Sequence, residues 1–190
     1  YGPDKLDDFD KAEPIAKKLI ELTPNEPVNY QALGKLYEDR GMYDQAEEMF
    51  KKAVQAKPSD PSVFTALAGY YNRQGDFDKL MENIRKNIEL EPQNPEAHYR
   101  LATYSWDKAS RDFRLSDKDK MAIITDGLTA VDKALQIKPD YVEAMTYKGL
   151  LLRLEANLEK DSAKQQALLK EANDLKDKSE EIRKKKATGA

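Results

Sequence analysis

The sequence predicts an all-α fold built from a repeated helical hairpin, and three observations support this prediction. A pair of prolines recurs every 34 residues, at Pro24 and Pro27, Pro58 and Pro61, and Pro92 and Pro95. Apolar residues between the pairs follow the spacing of one helix face. Ala, Leu, Lys, Glu and Gln are abundant, which favours helix. Because proline lacks a backbone donor but is tolerated at the first helical position, each pair marks a chain reversal, with one helix ending before it and another beginning at it.

Two complete repeats, residues 27–60 and 61–94, show the pattern most clearly. In the first repeat, one face of each predicted helix carries Tyr30, Leu33, Gly34 and Tyr37, then Ala46, Phe50 and Ala53. In the second repeat, the matching residues are Phe64, Leu67, Ala68 and Tyr71, then Leu80, Ile84 and Asn87. Asn87 stands where the pattern has a small residue. Gly41 and Gly75 separate the two helices, at a place where a helix C-terminus favours positive φ.

These residues and spacings resemble the tetratricopeptide repeat family, whose pattern has an aromatic residue, Leu-Gly and Tyr, followed by Ala, Phe and Pro. The resemblance implies an all-α, right-handed superhelical solenoid of antiparallel helix pairs. It also implies that first helices line a concave groove and second helices form the convex back. We further expect a bacterial protein, with the choice between cytoplasm and periplasm left open.

The N-terminal residues 1–26 are predicted to be a partial repeat. Phe9 to Pro24 aligns without gaps onto Tyr43 to Pro58, so residues 7–22 are expected to form a second helix whose first helix is missing. Two alternatives stay open: a trimmed chain, or an irregular cap formed by Tyr1 to Leu6.

The third and fourth repeats are expected to be elongated and to continue one structural domain. Residues 95–141 form a third repeat with an insertion of about 13 residues between Ser105 and Gly127, because 47 residues separate Pro92 from Pro139. Ser116 followed by Asp119 predicts the start of a long helix. Residues 142–186 are a fourth repeat or capping hairpin, and residues 187–190 a disordered tail. The packing face of the second helix in this fourth repeat carries one of two sets: Leu168, Ala172 and Leu175, or Leu175, Ser179 and Ile182.

The insertion has two interpretations, which we weigh equally. In the first, longer neighbouring hairpins cover each other, with Phe113, Leu115, Met121 and Ile124 packing against Leu154, Leu158 and Leu169. In the second, the insertion is a projecting lobe with a role in binding.

Composition excludes several classes of function. The 32 basic and 35 acidic side chains leave a net charge of −3, so we expect no nucleic-acid partner. No apolar run has the length of a transmembrane helix, so we expect no membrane insertion. The chain has no cysteine and a single histidine, His98, which occupies the place of the large aromatic residue and is expected to pack. We therefore expect no catalysis, no cofactor and no metal site.

The candidate binding residues lie on first helices, away from the paired second helix. Their mixed polar and aromatic character predicts binding of an extended peptide or a partner helix. The set comprises Gln31, Lys35, Glu38, Thr65, Asn72, Arg73, Tyr99, Arg100, Thr103, Trp106 and Arg153. Trp106, the sole tryptophan, is expected to pack between hairpins, with a ligand anchor as the alternative. Exchange of Lys35 and Arg73 for Glu is expected to weaken partner binding without unfolding the chain.

One subset of the family binds acidic C-terminal peptides of chaperones through a two-carboxylate clamp. Of the matching positions in this chain, only Arg100 keeps the clamp residue, and Glu96 would repel a carboxylate. We therefore expect a partner outside that class. The main hypothesis is a protein–protein interaction scaffold for a protein or peptide that the sequence does not identify. Two alternatives are a self-assembling module that uses its terminal helices, giving a homo-oligomer, and an accessory region of a larger protein.

Overall fold

The described part of the chain is helical, as predicted. The computed structural model describes residues 3–188, with side chains described from residue 9 onward. Within that range it has nine α-helices and no strand. The helices are α1 Pro3–Leu22, α2 Pro27–Asp39, α3 Tyr43–Ala56, α4 Pro61–Gln74, α5 Phe77–Leu90, α6 Pro95–Arg111, α7 Asp117–Ile137, α8 Val142–Leu158 and α9 Ser162–Thr188.

Each proline pair lies between two helices, which confirms the predicted chain reversals. The second proline of each pair is the first residue of a helix: Pro27 in α2, Pro61 in α4 and Pro95 in α6. The residue before the helix supplies a cap in two cases. The Asp60 carboxylate accepts from the Ser62 N–H at 2.9 Å, and the Asn94 side chain accepts from the Glu96 N–H at 3.0 Å.

The helices form two compact units. Unit 1 spans Tyr1–Leu90 with α1 to α5, and unit 2 spans Glu91–Ala190 with α6 to α9. In unit 1, α2 pairs with α3 and α4 with α5, while α1 packs against α2 and α3 against α4. In unit 2, α6 pairs with α7 and α8 with α9, and α8 also packs against both α6 and α7. The repeat boundaries and the single-domain organisation stay predictions.

Close packing of the paired helices in unit 1 depends on a small residue opposite a large one. A Cβ built on Gly34 would lie 3.2 Å from two ring atoms of Phe50, so a larger residue there would push α2 and α3 apart. Gly41 and Gly75 follow the first helices with φ of 73° and 74°. The left-handed conformation that was predicted for these two glycines is therefore present.

A tyrosine–carboxylate hydrogen bond recurs with the 34-residue period in unit 1. The Tyr37 hydroxyl donates to Glu13 at 2.8 Å, and the Tyr71 hydroxyl donates to Glu47 at 2.8 Å. Since Glu47 lies on the second helix α3, the matching bond places α1 in the role of a second helix. α1 begins at Pro3, so residues 3–6 of the alternative cap are helical, while residues 1 and 2 lie outside the described residues.

The elongation of the third hairpin is shared by both helices and their connection. α6 has 17 residues against 14 in α4, and α7 has 21 against 14 in α5. The connecting segment, residues 112–116, is also longer than residues 75–76. Ser116 caps α7 as predicted, because its Oγ accepts from the Asp119 N–H at 3.1 Å. With 17 residues in α8 and 27 in α9, the fourth hairpin is elongated too.

The core of unit 2 lies where α6, α7 and α8 meet. Ile124 and Leu151 are fully buried there, and Leu154 and Leu158 pack against the same cluster. The neighbouring hairpins therefore cover each other at these positions. The expected packing of Phe113 is wrong, because 90% of this residue is exposed. It lies in the connection between α6 and α7, beyond the reach of the core.

Both predicted sets of packing residues on α9 belong to one stripe. Ala172 and Ser179, one from each set, are buried, while Leu168, Leu175 and Ile182 are half-buried. The two alternatives thus merge along a long helix. α9 continues to Thr188, so residues 187 and 188 of the predicted disordered tail are helical, and residues 189–190 lie outside the described residues.

Candidate partner-binding surfaces

The candidate residues of unit 1 include a charged cluster between the first helices α2 and α4. Glu38 is buried, with 7% of its side chain exposed. The Arg73 guanidinium donates to both carboxylate oxygens of Glu38, at 2.7 Å and 2.9 Å. Lys35 lies 3.5 Å from Glu38 and 2.7 Å from Asp39. Burial favours a raised pKa for Glu38, but Arg73 and Lys35 outweigh it and lower that pKa below its ordinary value. The Glu38 carboxylate therefore stays ionised and is paired with two cations of its own chain.

This pairing changes the role expected for Arg73. A bidentate guanidinium–carboxylate pair is directional, and here it joins the first helices of consecutive hairpins. Arg73→Glu would place a second carboxylate beside a buried one, so the pairing argues against the expectation that this change leaves the fold intact. Lys35 and Asn72 are exposed and remain surface residues.

Thr65 is directed toward the paired second helix. Its Oγ accepts from the Asn87 side-chain amide at 3.0 Å, and the same amide donates to the Pro61 carbonyl at 2.8 Å. Asn87, which departs from the repeat pattern, is thus buried with its amide satisfied. Thr65 therefore belongs to the packing of α4 on α5. Gln31, the remaining candidate of unit 1, is half-buried on α2.

Unit 2 carries an aromatic cluster between its first helices α6 and α8. The ring of Tyr147 lies edge-to-face with Tyr99 and with Trp106, at centroid distances of 5.4 Å and 5.6 Å. Tyr141 supports the cluster from the start of α8, because its ring lies 5.1 Å from Tyr99 and its hydroxyl donates to Glu96. Tyr99, Trp106 and Tyr147 are each half-buried, and we call these three the α6–α8 aromatic surface. Trp106 thus packs between the hairpins and keeps part of its ring exposed.

The polar candidates of unit 2 divide between two places. Arg100 lies on α6 with its Nε 3.4 Å from Glu96, and the Thr103 hydroxyl donates to the Arg100 carbonyl at 2.8 Å. Arg153 instead donates to the Asn173 side chain on α9 at 2.7 Å. Arg100 and Thr103 therefore lie on the same helix as Tyr99 and Trp106, whereas the Arg153 side chain points toward α9.

Tyr147 is a member of the aromatic surface that the sequence reasoning missed. From α8 the predicted binding set includes only Arg153, although the spacing of Met145, Gly149 and Leu152 indicates which face of this helix packs inward. Tyr147 comes two residues after Met145, and this spacing alone places it on the opposite side of the helix. Helical periodicity therefore contained the signal.

His98 packs, as predicted. It is 8% exposed, and its Nε2 lies 3.0 Å from the Pro92 carbonyl oxygen, so this nitrogen donates. Tyr30 occupies the same place in its repeat, and its hydroxyl donates to the Pro24 carbonyl at 3.0 Å. Both side chains hydrogen-bond to the backbone carbonyl of the first proline in the pair that precedes their helix. This shared bond explains why a histidine can take the place of a tyrosine there.

A pocket of about 290 Å³ lies between α8 and α9 in unit 2. Arg153 lines it together with Lys176 and Arg183 of α9, two residues that the sequence reasoning did not assign. We call this pocket and its edge the α8–α9 notch.

Two further features of the described residues bear on the class of function. No group of three or more His, Asp or Glu side chains among them is placed to hold a metal ion. No helix of residues 3–188 combines the length and the apolar character that crossing a bilayer requires.

Comparison with known proteins supports the repeat assignment. Residues 5–70 match the family model described as tetratricopeptide repeat. The chain is similar to the crystal structure of MamA, with 24% identity, a TM-score of 0.66, and 95% of this chain and 92% of that chain covered. It is also similar to YrrB, described as a TPR protein with an unusual peptide-binding site, with 17% identity, a TM-score of 0.57 and coverage of 95% and 86%.

A third similar structure is the first TPR of Spaghetti (RPAP3) bound to the HSP90 peptide SRMEEVD. It shares 18% identity and a TM-score of 0.52, with 69% of this chain and 94% of that chain covered. Curated protein sequences give no match. At these identities the likeness shows the fold, and it confirms the predicted class of an all-α solenoid built from helix pairs of the tetratricopeptide type.

Proposed function

We propose that this chain, whose residues 5–70 match the tetratricopeptide repeat model, is a non-catalytic interaction scaffold that binds an extended peptide or a helix of a partner protein on the α6–α8 aromatic surface. The observation that carries this proposal is the edge-to-face contact of Tyr147 with both Tyr99 and Trp106. The three rings remain half-buried, so each presents part of its surface to solvent.

Such a surface has the composition and the rigidity that favour protein recognition. Tyrosine, tryptophan and arginine are enriched among residues that contribute most to binding at interfaces. Contacts between two helices already fix the rings in place, so binding costs little side-chain conformational entropy. Arg100, with 39% of its side chain exposed, adds a cation on the same helix.

The similar structures support this class of function at the level of the fold. YrrB is described as having a peptide-binding site, and the Spaghetti structure contains a bound peptide. The charged cluster of unit 1 contributes differently, because Glu38 and Arg73 bind each other. We therefore assign unit 1 mainly a supporting role, with Lys35 and Asn72 as its exposed polar residues.

The sole tryptophan provides the test. Peptides selected from a random library on the immobilised chain would be synthesised and titrated against it, with Trp106 emission and the dissociation constant as readouts. Since Trp106 belongs to the proposed surface, we expect binding to change its emission. We expect Arg100→Ala to weaken binding by about tenfold. Lys133→Ala is the control, because Lys133 lies on the second helix α7 and bonds Gln136.

Two results would contradict the proposal. One is selected peptides that bind without any change in Trp106 emission. The other is equal affinity for the Arg100→Ala and Lys133→Ala variants.

A second candidate function, self-association, is favoured by one observation in unit 1. Ile15, Leu19 and Leu22 follow one face of α1 and are 62%, 46% and 67% exposed. An apolar stripe of this kind is typical of an interaction surface. Light scattering over a concentration series tests it: a mass that stays that of one chain at every concentration excludes self-association.

A further inference from the structure

The α6–α7 hairpin shows that a third helix can pack along a paired first and second helix. α8 packs against both of these helices. On the α6 side, Tyr147 contacts Tyr99 and Trp106. On the α7 side, Leu151 lies 3.1 Å from the position that a Cβ on Gly127 would take. One helix, presenting aromatic and aliphatic side chains, thus fills the space along this hairpin.

The α8–α9 hairpin offers the corresponding space. α6 begins at Pro95 and α8 begins 47 residues later at Val142, so Tyr99 and Trp106 correspond to Thr146 and Arg153. In the third hairpin these two positions contact the following helix. In the fourth hairpin they line the α8–α9 notch.

The base of the notch is apolar and narrow. Met145, Gly149 and Ala172 lie there and are buried. A Cβ on Gly149 would lie 3.4 Å from the Ala172 carbonyl oxygen, so the glycine lets α8 and α9 approach closely at this point. Leu150 lines the same pocket and is half-buried. The notch therefore has the size and the lining for apolar side chains from a docked helix.

The edge of the notch is basic. Arg153, Lys176 and Arg183 contribute three positive charges and Glu180 one negative charge, which leaves a net charge of +2. Glu180 lies 3.8 Å from Lys176, a loose contact in which both side chains remain largely exposed, at 47% and 67%. A docked segment with carboxylates beside its apolar face would complement this edge.

We propose that the α8–α9 notch is a second interaction site that binds an acidic amphipathic helix of a partner protein. The precedent of α8 on the third hairpin argues for a helix, and the charge of the edge argues for acidic flanks. Anchor residues at positions i, i+3, i+4 and i+7 would enter the apolar base. This site is separate from the α6–α8 aromatic surface, so either can fail without the other.

A pair of synthetic peptides tests the proposal on the full chain. Both are helical 18-residue peptides with leucines at the four anchor positions, and they differ only in glutamates or lysines flanking the leucine face. The protein variants are Lys176→Glu with Arg183→Glu at the notch, and Lys170→Glu with Lys178→Glu as control. The control carries the same charge change on α9, at residues that do not line the pocket.

We expect the glutamate peptide to bind and the lysine peptide to bind at least about tenfold more weakly. The notch variant should lose about tenfold or more in affinity for the glutamate peptide, and the control variant should lose much less. Equal binding of the two peptides, equal loss in the two variants, or no binding of the glutamate peptide would overturn the proposal. So would self-association of the chain that the notch variant abolishes, because the occupant would then be a second copy.

Discussion

Gly127→Ala is expected to destabilise unit 2, because this glycine lets three helices meet. A Cβ at position 127 would lie 2.8 Å from the Ser105 Cβ and 3.1 Å from a methyl carbon of Leu151. The Ser105 Cβ is bonded directly to the backbone of α6 and cannot rotate away, so α6 and α7 must separate. Overpacking of this kind costs about 1–3 kcal/mol, whereas the higher helix propensity of alanine returns about 1 kcal/mol. The net loss in the free energy of unfolding is therefore up to about 2 kcal/mol.

Gly69→Ala is the matched control, with the opposite expected sign. Gly69 lies in the interior of α4, and its Cβ would meet only the end of the Arg73 side chain, at 3.4 Å. The higher helix propensity of alanine should then raise the free energy of unfolding by up to about 1 kcal/mol, because no packing cost offsets it. Urea unfolding followed by circular dichroism measures both variants, and Trp106 emission reports on unit 2 separately.

Adding Ser105→Gly to Gly127→Ala identifies the contact responsible. Removing the Ser105 Cβ should recover part of the loss, beyond what the two single changes add up to. The packing argument is refuted if Gly127→Ala stabilises the chain as Gly69→Ala does, or if the double variant shows no coupling.

Three further outcomes are expected. Ser105→Ala should leave stability unchanged or raise it by up to about 1 kcal/mol in urea unfolding, because the buried Ser105 hydroxyl has no hydrogen-bond partner among the described residues. Arg73→Ala should lower the free energy of unfolding by about 1–2 kcal/mol, because the buried carboxylate of Glu38 loses its bidentate partner, and Asn72→Ala beside it should have little effect. Acid should weaken unit 1 through Glu47: hydrogen bonds from Lys51 and from the Tyr71 hydroxyl lower its pKa from 4.5 to about 2, so its contribution is complete above pH 4.5 and is lost as the pH falls toward about 2. Glu47→Gln should make acid unfolding less steep in that range, and an unchanged slope would contradict this assignment.

Local signals in the sequence were sufficient to predict the helix positions. Proline at the first helical position and glycine after the first helix each act within one turn of the chain. The start of α7 at Ser116 followed from one hydroxyl and one carboxylate three residues apart. These features depend on neighbouring residues only, so a single sequence contains them.

The composition of the candidate surfaces could be predicted only in part, because it depends on contacts between distant residues. Periodicity placed Glu38 and Arg73 on first helices, but their pairing across 35 residues depends on how two hairpins pack. Likewise, Thr65 was assigned to an open surface, but its hydroxyl accepts a hydrogen bond from the unusual, buried Asn87 on the facing helix. The side-chain contacts of an unusual residue must be seen before its neighbours can be assigned.

The same repeat position joins consecutive first helices in two chemically different ways. Glu38 and Trp106 are two periods of 34 residues apart, and each contacts the first helix that follows it in its own unit. In unit 1 the contact is an ion pair, whose Coulomb energy is offset by the cost of removing Glu38 from water. In unit 2 the contact is aromatic and combines apolar burial with edge-to-face attraction. Since the rings that hold α6 to α8 are those proposed to contact the partner, binding there should raise the stability of unit 2, and well above the dissociation constant the gain should grow with the logarithm of the free partner concentration.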